Sequence, residues 1–401
     1  MMSGIVLGIF MFMFLVVVHE FGHFMVAKKK GVKVLEFGFG IPPKVCNLRK
    51  DKGGTQYTLN LLPLGGFVRL KGEDPNEQED FHAKDSFIKA KIWNKLLILI
   101  AGVGMNFLLA RFLFSFIFFL GTKPISLLPE NALKAQSHSY LMPTLSFLQS
   151  QGLTSGDITA VPPKIEEITA GGLGTAIGLQ SGDILLSVNN ESVNIININD
   201  VLKKHIGEPI TINYQRGTVR HLTNGQCSDE DCLLGVGFAL SGDFSINQIK
   251  FPLGKSLWMG LKEIGAETDL TLSTLGMLGK NLISFNGTKI KNSLNRLTGP
   301  VGAVKFGQTL LNEGGFKLFL AFAGIISLAL AIFNILPLPA LDGGRFWGVI
   351  IQWIGRLKPE KYFTIESYIN LIFFILLMGL GVYIILKDLV RFRAVKIPFL
   401  S

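Results

Sequence analysis

His19-Glu20-Phe21-Gly22-His23 closes an apolar run, Ile5 to Val18, that carries no charged residue. In a helix the two histidines, four positions apart, lie one above the other on the same face. Two imidazoles so placed can share one Zn²⁺, with Glu20 beside them to handle the proton of a water. Such an ion needs more than two protein ligands, so a third comes from elsewhere in the chain. The bland alternative is a pair of interfacial histidines with Glu20 paired to a nearby lysine. Three ionisable groups inside one apolar segment are expensive in lipid, and groups kept at that cost usually have a function. That weighs toward the metal.

The surroundings of the motif agree with a bilayer. The chain has 401 residues, of which 48% are hydrophobic and only 17% charged, where soluble domains carry about a quarter. The apolar residues fall in long runs, as in a membrane protein. A formal charge of +10 fits lysines flanking membrane spans. Nucleic-acid binding would call for a basic patch interleaved with aromatics, and none is found. Six histidines and three cysteines exclude a cysteine-rich metal site. The first apolar run lacks the charged start and small-residue cleavage site of a signal peptide.

Four spans are expected. The first, about Gly4 to Ala27 within a segment 1–30, is followed at once by Lys28, Lys29 and Lys30, which marks that end as cytoplasmic. Residues 31–95 read as a small sheet or hairpin at the membrane surface, or as a plain interfacial loop, followed by a cytoplasmic loop. There Tyr57 to Leu61 reads as a strand, Leu62-Pro63-Leu64-Gly65-Gly66 breaks it, and Phe67 to Leu70 resumes it. Glu73 to Asp85 is acidic and reads as a solvated loop. The second span, 96–121, follows Lys89, Lys91 and Lys95; Arg111 interrupts it, and Asn106 offers a hydrogen bond across the bundle.

Residues 122–250 form an outer region. Its signature, Ile177-Gly178-Leu179-Gln180-Ser181-Gly182-Asp183-Ile184-Leu185-Leu186-Ser187-Val188-Asn189, reads as a helix end, a glycine turn and an alternating strand. Ile210 to Tyr214 and Leu234 to Ala239 supply further strands. Cys227 and Cys232 are close enough to bridge in an oxidising compartment, although spacing alone leaves them bridged or reduced. Cys46 is expected reduced. Residues 251–315 are amphipathic, with Leu253, Leu257, Leu261 and Ile264 at helical spacing, a stretch that would lie along the outer membrane surface or cross it partly.

The third span, about Phe316 to Leu338 in a segment 316–345, ends in Phe333-Asn334-Ile335-Leu336-Pro337-Leu338-Pro339-Ala340-Leu341-Asp342-Gly343-Gly344-Arg345. The prolines break the helix and return the chain to the level of His19 and His23. Asp342 is thus the best third ligand, an oxygen donor on a bent segment covered by protein; alone it would read as a helix cap. Segment 346–401 adds a loop and a fourth span, about Ile369 to Leu386. Lys387, Arg391, Arg393 and Lys396 would then lie outside, against the charge rule. Four spans are kept because both halves of the metal site must meet.

With both motifs in view, the chain resembles the bacterial site-2 protease family, intramembrane zinc metalloproteases of the regulator-of-sigma-E protease type. His19 to His23 matches the family's HExxH, and Asn334 to Gly344 its N-x-x-P-x-P-x-L-D-G-G segment. The resemblance implies Asp342 as third zinc ligand, Glu20 as the catalytic base and Asn334 as a group that handles the substrate strand. Leu62 to Phe67 looks like the family's membrane-dipping hairpin, Ile177 to Asn189 like a PDZ domain (about 160–240), and Leu297 to Gly302 like the segment before the third span. Val103 stands where many relatives have proline, and only one PDZ signature is visible where the best-known members have two.

The expected fold is therefore a polytopic α-helical membrane protein of about four spans, with a membrane-associated β-hairpin or sheet and an extracytoplasmic PDZ-like β-rich domain. The expected setting is the bacterial inner membrane, with one Zn²⁺ per chain, the site toward the cytoplasm, the PDZ-like domain outside, and single-span membrane proteins as substrates. Substrate handling would fall to Asn334, Asn106, Tyr57, Leu59, Gly65 and Gly66, the strand offering its edge to an unwound substrate. A peptide or protein would be the ligand of the PDZ-like domain. A scaffold with a vestigial site is the rival, but it would tolerate loss of Glu20, which is present. A zinc transporter would favour paired half-repeats, and none is visible.

Overall fold

The computed structural model describes residues 2–73, 83–128, 138–156, 162–168, 172–226, 234–239, 245–284, 287, 290, 293–294 and 297–391. The chain divides into two compact units, Met1–Phe119 with Pro252–Ser401, and Leu120–Phe251. Cys227 and Cys232 lie outside the described residues.

The first unit is built on long helices: α1 (Met2–Lys29), α2 (Ile92–Leu120), α6 (Leu253–Ile283), α7 (Pro300–Ile335), α8 (Asp342–Ile354) and α9 (Pro359–Arg391). Among the described residues, four segments are long and apolar enough to cross a membrane, Gly4–Lys29, Ile92–Leu120, Gly314–Ile335 and Ile365–Val390. The third begins where α7 kinks at Gly315, a glycine at φ 69°. That kink stands at the expected start of the third span, and a further helical stretch from Pro300 precedes it.

The apolar stripe of α6 is split: Leu253, Leu257 and Leu261 are exposed, whereas Ile264 is buried with Ser256, Gly260, Glu263 and Glu267. Gly260 seats against α2 so closely that a Cβ there would lie 2.2 Å from Ser115 Oγ.

Lys387 is explained by packing. Its ammonium donates to the carbonyls of Leu294 and Leu297 at 2.8 and 2.5 Å. The adjacent Asp388 is buried and accepts from the N–H groups of Gly299 and Gly302, each at 2.9 Å. A carboxylate at a helix N-terminus satisfies orphan donors and opposes the dipole. The end of α9 is thereby tied to the start of α7, which places these two spans antiparallel. Lys387 serves this joint, so it carries little topological information.

Between α1 and α2 lie two long strands, β1 (Val34–Lys50) and β2 (Gln56–Leu70), paired antiparallel. Each changes partner along its length. Residues 34–39 meet 66–70 on one side and 56–59 on the other, while 44–50 lie against 56–60. An aromatic cluster docks this sheet on α1: Phe24 meets Phe37 and Tyr57 edge to face, with ring centroids 5.3 and 6.0 Å apart. The acidic stretch after β2 is anchored at its start, where Glu73 accepts from Arg345 Nη1 at 2.6 Å.

The second unit holds the helices α3 (Leu145–Ser150), α4 (Leu173–Ala176) and α5 (Ile198–Lys204), a short strand β3 (Thr154–Ser155), and the strands β4 (Lys164–Ile168), β5 (Ile184–Val188), β6 (Glu191–Ser192), β7 (Pro209–Arg216), β8 (Val219–Gln226) and β9 (Val236–Ala239). β4 to β9 form one sheet in the order β8-β7-β5-β4-β9, with β6 paired to β5. Its core gathers Ile165, Leu185, Val188, Ile198, Val201, Leu202, Ile210 and Ile212. The expected helix end, glycine turn and strand are present: a helix at Leu173–Ala176, Gly178 and Gly182 at positive φ, then β5. Asp183 fixes this turn. It accepts from the Gln180 N–H at 2.8 Å, and Arg216 grips it through Nε and Nη2, each at 2.8 Å.

Burial works against the Asp183 charge, yet the Arg216 hydrogen bonds and the Gln180 N–H hold its carboxyl below the usual carboxylate range. A depressed folded pKa gives stability that is present above the unfolded value and lost as pH falls through the folded one. Asp183→Asn should therefore cost β5 and β7 about 2 kcal/mol of protection near neutral pH. The gap from wild type should close below about pH 4. Amide hydrogen exchange of the intact protein, corrected for intrinsic rates, reads this directly; a gap independent of pH would refute the ion pair's role.

Candidate metal centre

The helical spacing of His19 and His23 brings both rings to one side of α1, buried, with centroids 4.9 Å apart. Asp342 comes from the first turn of α8, where an acidic residue suits the helix dipole. Its Oδ2 lies 2.8 Å from His19 Nε2 and 3.1 Å from His23 Nε2, and the two Nε2 atoms are 3.2 Å apart. Ligands about 2.0–2.1 Å from a tetrahedral zinc ion stand roughly 3.3 Å from one another. The triangle is only slightly tighter than that.

The supporting residues fit the same purpose. His23 Nδ1 donates to the Ile98 carbonyl at 2.8 Å. A carbonyl only accepts, so Nδ1 carries the proton and Nε2 presents its lone pair to the cluster. On His19, Nδ1 faces the Asn106 amide, its Nδ2 at 3.4 Å, while Asn106 Oδ1 is buried without a partner among the described residues. Turning the amide over places Oδ1 against His19 Nδ1–H. That satisfies the orphaned oxygen and frees the second Nε2.

Glycines let the elements close on this centre. A Cβ on Gly102 would lie 2.3 Å from His23 Nε2 and 2.7 Å from His19 Nε2; only a hydrogen there leaves room for the ligand atoms. At Gly343 and Gly344 a Cβ would meet the Leu336 and Leu338 carbonyls at 2.2 Å. These two glycines allow the broken end of α7 to fold against the start of α8 and deliver Asp342. The Ala340 N–H in that turn is held by Asn370 Oδ1 at 3.0 Å.

Glu20 sits next to the cluster. Its Oε2 accepts from the Val68 N–H at 3.0 Å, and Oε1 has no hydrogen bond among the described residues. A cavity of about 290 Å³ is lined by His19, Glu20, Asn106, Asn334 and Asp342. The Asn334 amide, which lines it, makes no hydrogen bond among the described residues. His, His and Asp around a glycine-made space, with a carboxylate alongside, form the donor set of a hydrolytic zinc site.

A profile of Peptidase family M50 matches residues 7–379. The chain belongs to peptidase family M50. This is the site-2 family of membrane zinc metalloproteases that the two motifs resemble, and the His19, His23 and Asp342 cluster among the spans agrees with zinc-dependent intramembrane proteolysis. A Clostridium perfringens relative is 32% identical over 96% of this chain and 98% of its own. The zinc metalloprotease RasP of Geobacillus kaustophilus is 29% identical, covering 98% and 99%. The regulator of sigma E protease of Haemophilus influenzae is 28% identical, covering 94% and 96%.

Two residues expected at the substrate edge sit elsewhere in this M50 chain. Leu59 is paired with Phe39 on one side and Cys46 on the other, and Tyr57 with Phe37 and Arg49. Their strand is internal, so Leu59 offers no free ladder, and the Tyr57 ring serves to dock the sheet. Residues 66–70 pair only with 34–39 among the described residues, and their Val68 N–H reaches Glu20. The outer runs of the sheet are thus 44–50 and the returning run 66–70, and the returning run is the one that reaches Glu20. Gly65 and Gly66 stand at its start, where a Cβ would press on Val16 and Val17 of α1 at 3.2 and 3.3 Å. Gly102, the Ile98 carbonyl, the Val68 N–H and Asn370 went unread in the sequence. Only Gly102 had a signal there, as a small residue one helical turn from Asn106.

Proposed function

We propose that this protein cuts the transmembrane segments of single-span membrane proteins, such as anti-sigma factors or signal-peptide remnants, in regulated intramembrane proteolysis. The observation that carries the reading is the His19, His23 and Asp342 cluster beside a cavity that His19, Asp342, Glu20 and Asn334 line among the spans. His19, His23 and Asp342 would hold one Zn²⁺ per chain, which when bound supplies the Lewis acidity that activates a water and polarises the scissile carbonyl. Glu20 takes the proton of the attacking water and passes it to the amide nitrogen as the C–N bond breaks. Val68 keeps Glu20 in place for both transfers.

The substrate helix must unwind before it is cut, and each unpaired backbone group in lipid costs several kcal/mol. The edge at residues 66–70 pairs with the extended segment by strand addition, and the Asn334 amide offers one donor and one acceptor beside the metal. Asn106 serves the metal through His19. Lysines 28–30, 89, 91 and 95 put the site toward the cytoplasm of a bacterial inner membrane. The unit of residues 120–251 then lies outside, where a PDZ-like domain filters substrates by a peptide or protein end.

Purified protein incubated with a panel of single-span peptides tests the reading by mass spectrometry of the products. Cuts inside the membrane segment, abolished by chelation, are expected; no cut in any peptide by zinc-loaded protein would favour a scaffold. Asn334→Ala should slow a stable helical substrate about tenfold, the loss of one to two hydrogen bonds. A substrate weakened by glycines at its cut site should suffer less. Equal slowing of both would mean that Asn334 does not support the unwound strand.

A further inference from the structure

A second cavity, of about 970 Å³, opens where the start of α2 meets the end of α8. It shares no residue with the metal centre. Lys91, Lys95 and Arg356 line it together with Trp93, Gln352 and Trp353. Lys95 decides its character. This lysine is only 7% exposed, and its ammonium makes no hydrogen bond or ion pair among the described residues. Its described neighbours are the Phe87 ring, 5.8 Å away, and Glu366, whose charge reaches it only through space. A buried cation left so is costly unless an anion joins it. Lys91 and Arg356 at the rim are exposed and likewise make no side-chain hydrogen bond or ion pair among the described residues. The N-terminus of α2, the positive end of a helix dipole, adds positive potential at the same place.

We propose that this cavity binds the phosphate-bearing head group of an anionic phospholipid. Phosphate is the shared chemistry of a lipid head group and a free ion, and the rim favours the lipid. Trp93 and Trp353 are 72% and 62% exposed, with Ile354 and Leu357 exposed beside them. Tryptophans in this position belong at the boundary between head groups and acyl chains, and α2 enters its membrane-crossing run there. A site for a soluble ion has no use for such an apolar surround. Basic pockets between spans hold lipid head groups in this way. The occupant joins α2, which carries Ile98 and Gly102 of the metal centre, to α8, which carries Asp342.

Native mass spectrometry of the full-length protein, in detergent with equimolar phosphatidylglycerol and phosphatidylcholine, tests the assignment. Wild type should retain phosphatidylglycerol in preference. Lys91→Gln with Arg356→Gln should lower that retention about fivefold for each cation removed. Lys29→Gln with Lys30→Gln, exposed cations elsewhere, should leave it unchanged. Because Lys95 is buried and its replacement risks misfolding, the rim pair is the primary variant, with zinc content and monodisperse elution as its folding controls. Equal retention of both lipids by wild type would overturn the proposal, as would undiminished phosphatidylglycerol on the rim variant or equal loss on the control. Displacement of the lipid by excess orthophosphate would assign the cavity to the free ion instead.

Discussion

Asp342→Asn should leave the purified full-length protein with less than about a tenth of the zinc of wild type, since even outer groups cost 10–100-fold in metal affinity. The carboxylate contributes the only anionic donor of the triangle, and its Oδ2 is the atom that both imidazoles approach. An amide in its place offers a neutral oxygen and adds donors that face two Nε2 atoms. His23→Ala should behave alike. Asn106→Leu should weaken binding by about tenfold while leaving all three ligands in place, because His19 then loses the acceptor that sets its tautomer. Elemental analysis after dialysis against a graded chelator series measures all three. Full occupancy in both Asp342→Asn and His23→Ala would mean that the cluster is not the metal site. Loss in those two with no change in Asn106→Leu would remove only the supporting role of Asn106.

The legible parts of this protein were those where the solvent leaves one solution. Lipid accepts only helices long enough to cross with their backbone satisfied, so the spans can be read from hydropathy alone. The two half-motifs were legible because helical spacing fixes His19 over His23, and because prolines and glycines around Asp342 force a turn. The sheet was harder. Alternation marks Tyr57 to Leu61 as a strand, yet nothing local reveals that 34–39 and 44–50 both claim it, which leaves 66–70 as the outer run beside Glu20. The amphipathic pattern of α6 leaves its inner face open for a different reason. In a membrane protein the outward direction is not the polar one, so Leu253, Leu257 and Leu261 look out while Ile264, Glu263 and Glu267 are buried. Lys387 shows the same limit: a lysine that caps carbonyls in a helix joint cannot be told from a topological lysine by position. Gly102 was invisible as a functional residue because its contribution is the absence of an atom.

Glu20→Gln should keep zinc and lose activity by roughly 10²–10⁴-fold. The substitution is close to isosteric. The Gln carbonyl can still accept the Val68 N–H that Glu20 Oε2 accepts at 3.0 Å, so the sheet and α1 stay joined and the cavity keeps its shape. What disappears is the basic oxygen that takes a proton from water and returns it to the leaving nitrogen. The kinetic form of the loss is informative. A group acting in the transition state lowers kcat and kcat/KM together, whereas one that merely holds substrate raises KM. Glu20→Gln should show the first pattern and Asn334→Ala, on a stable helix, a larger share of the second. Single-turnover cleavage of one peptide, measured beside zinc content, separates the cases. Zinc retained with activity lost identifies Glu20 as the proton carrier, in contrast to Asp342→Asn, where both fall together. Near-normal cleavage by Glu20→Gln would transfer that task to another group on the cavity wall. Among the described residues that line the cavity, Glu20 and Asp342 alone offer carboxylates, and Asp342 is already committed to the two imidazoles.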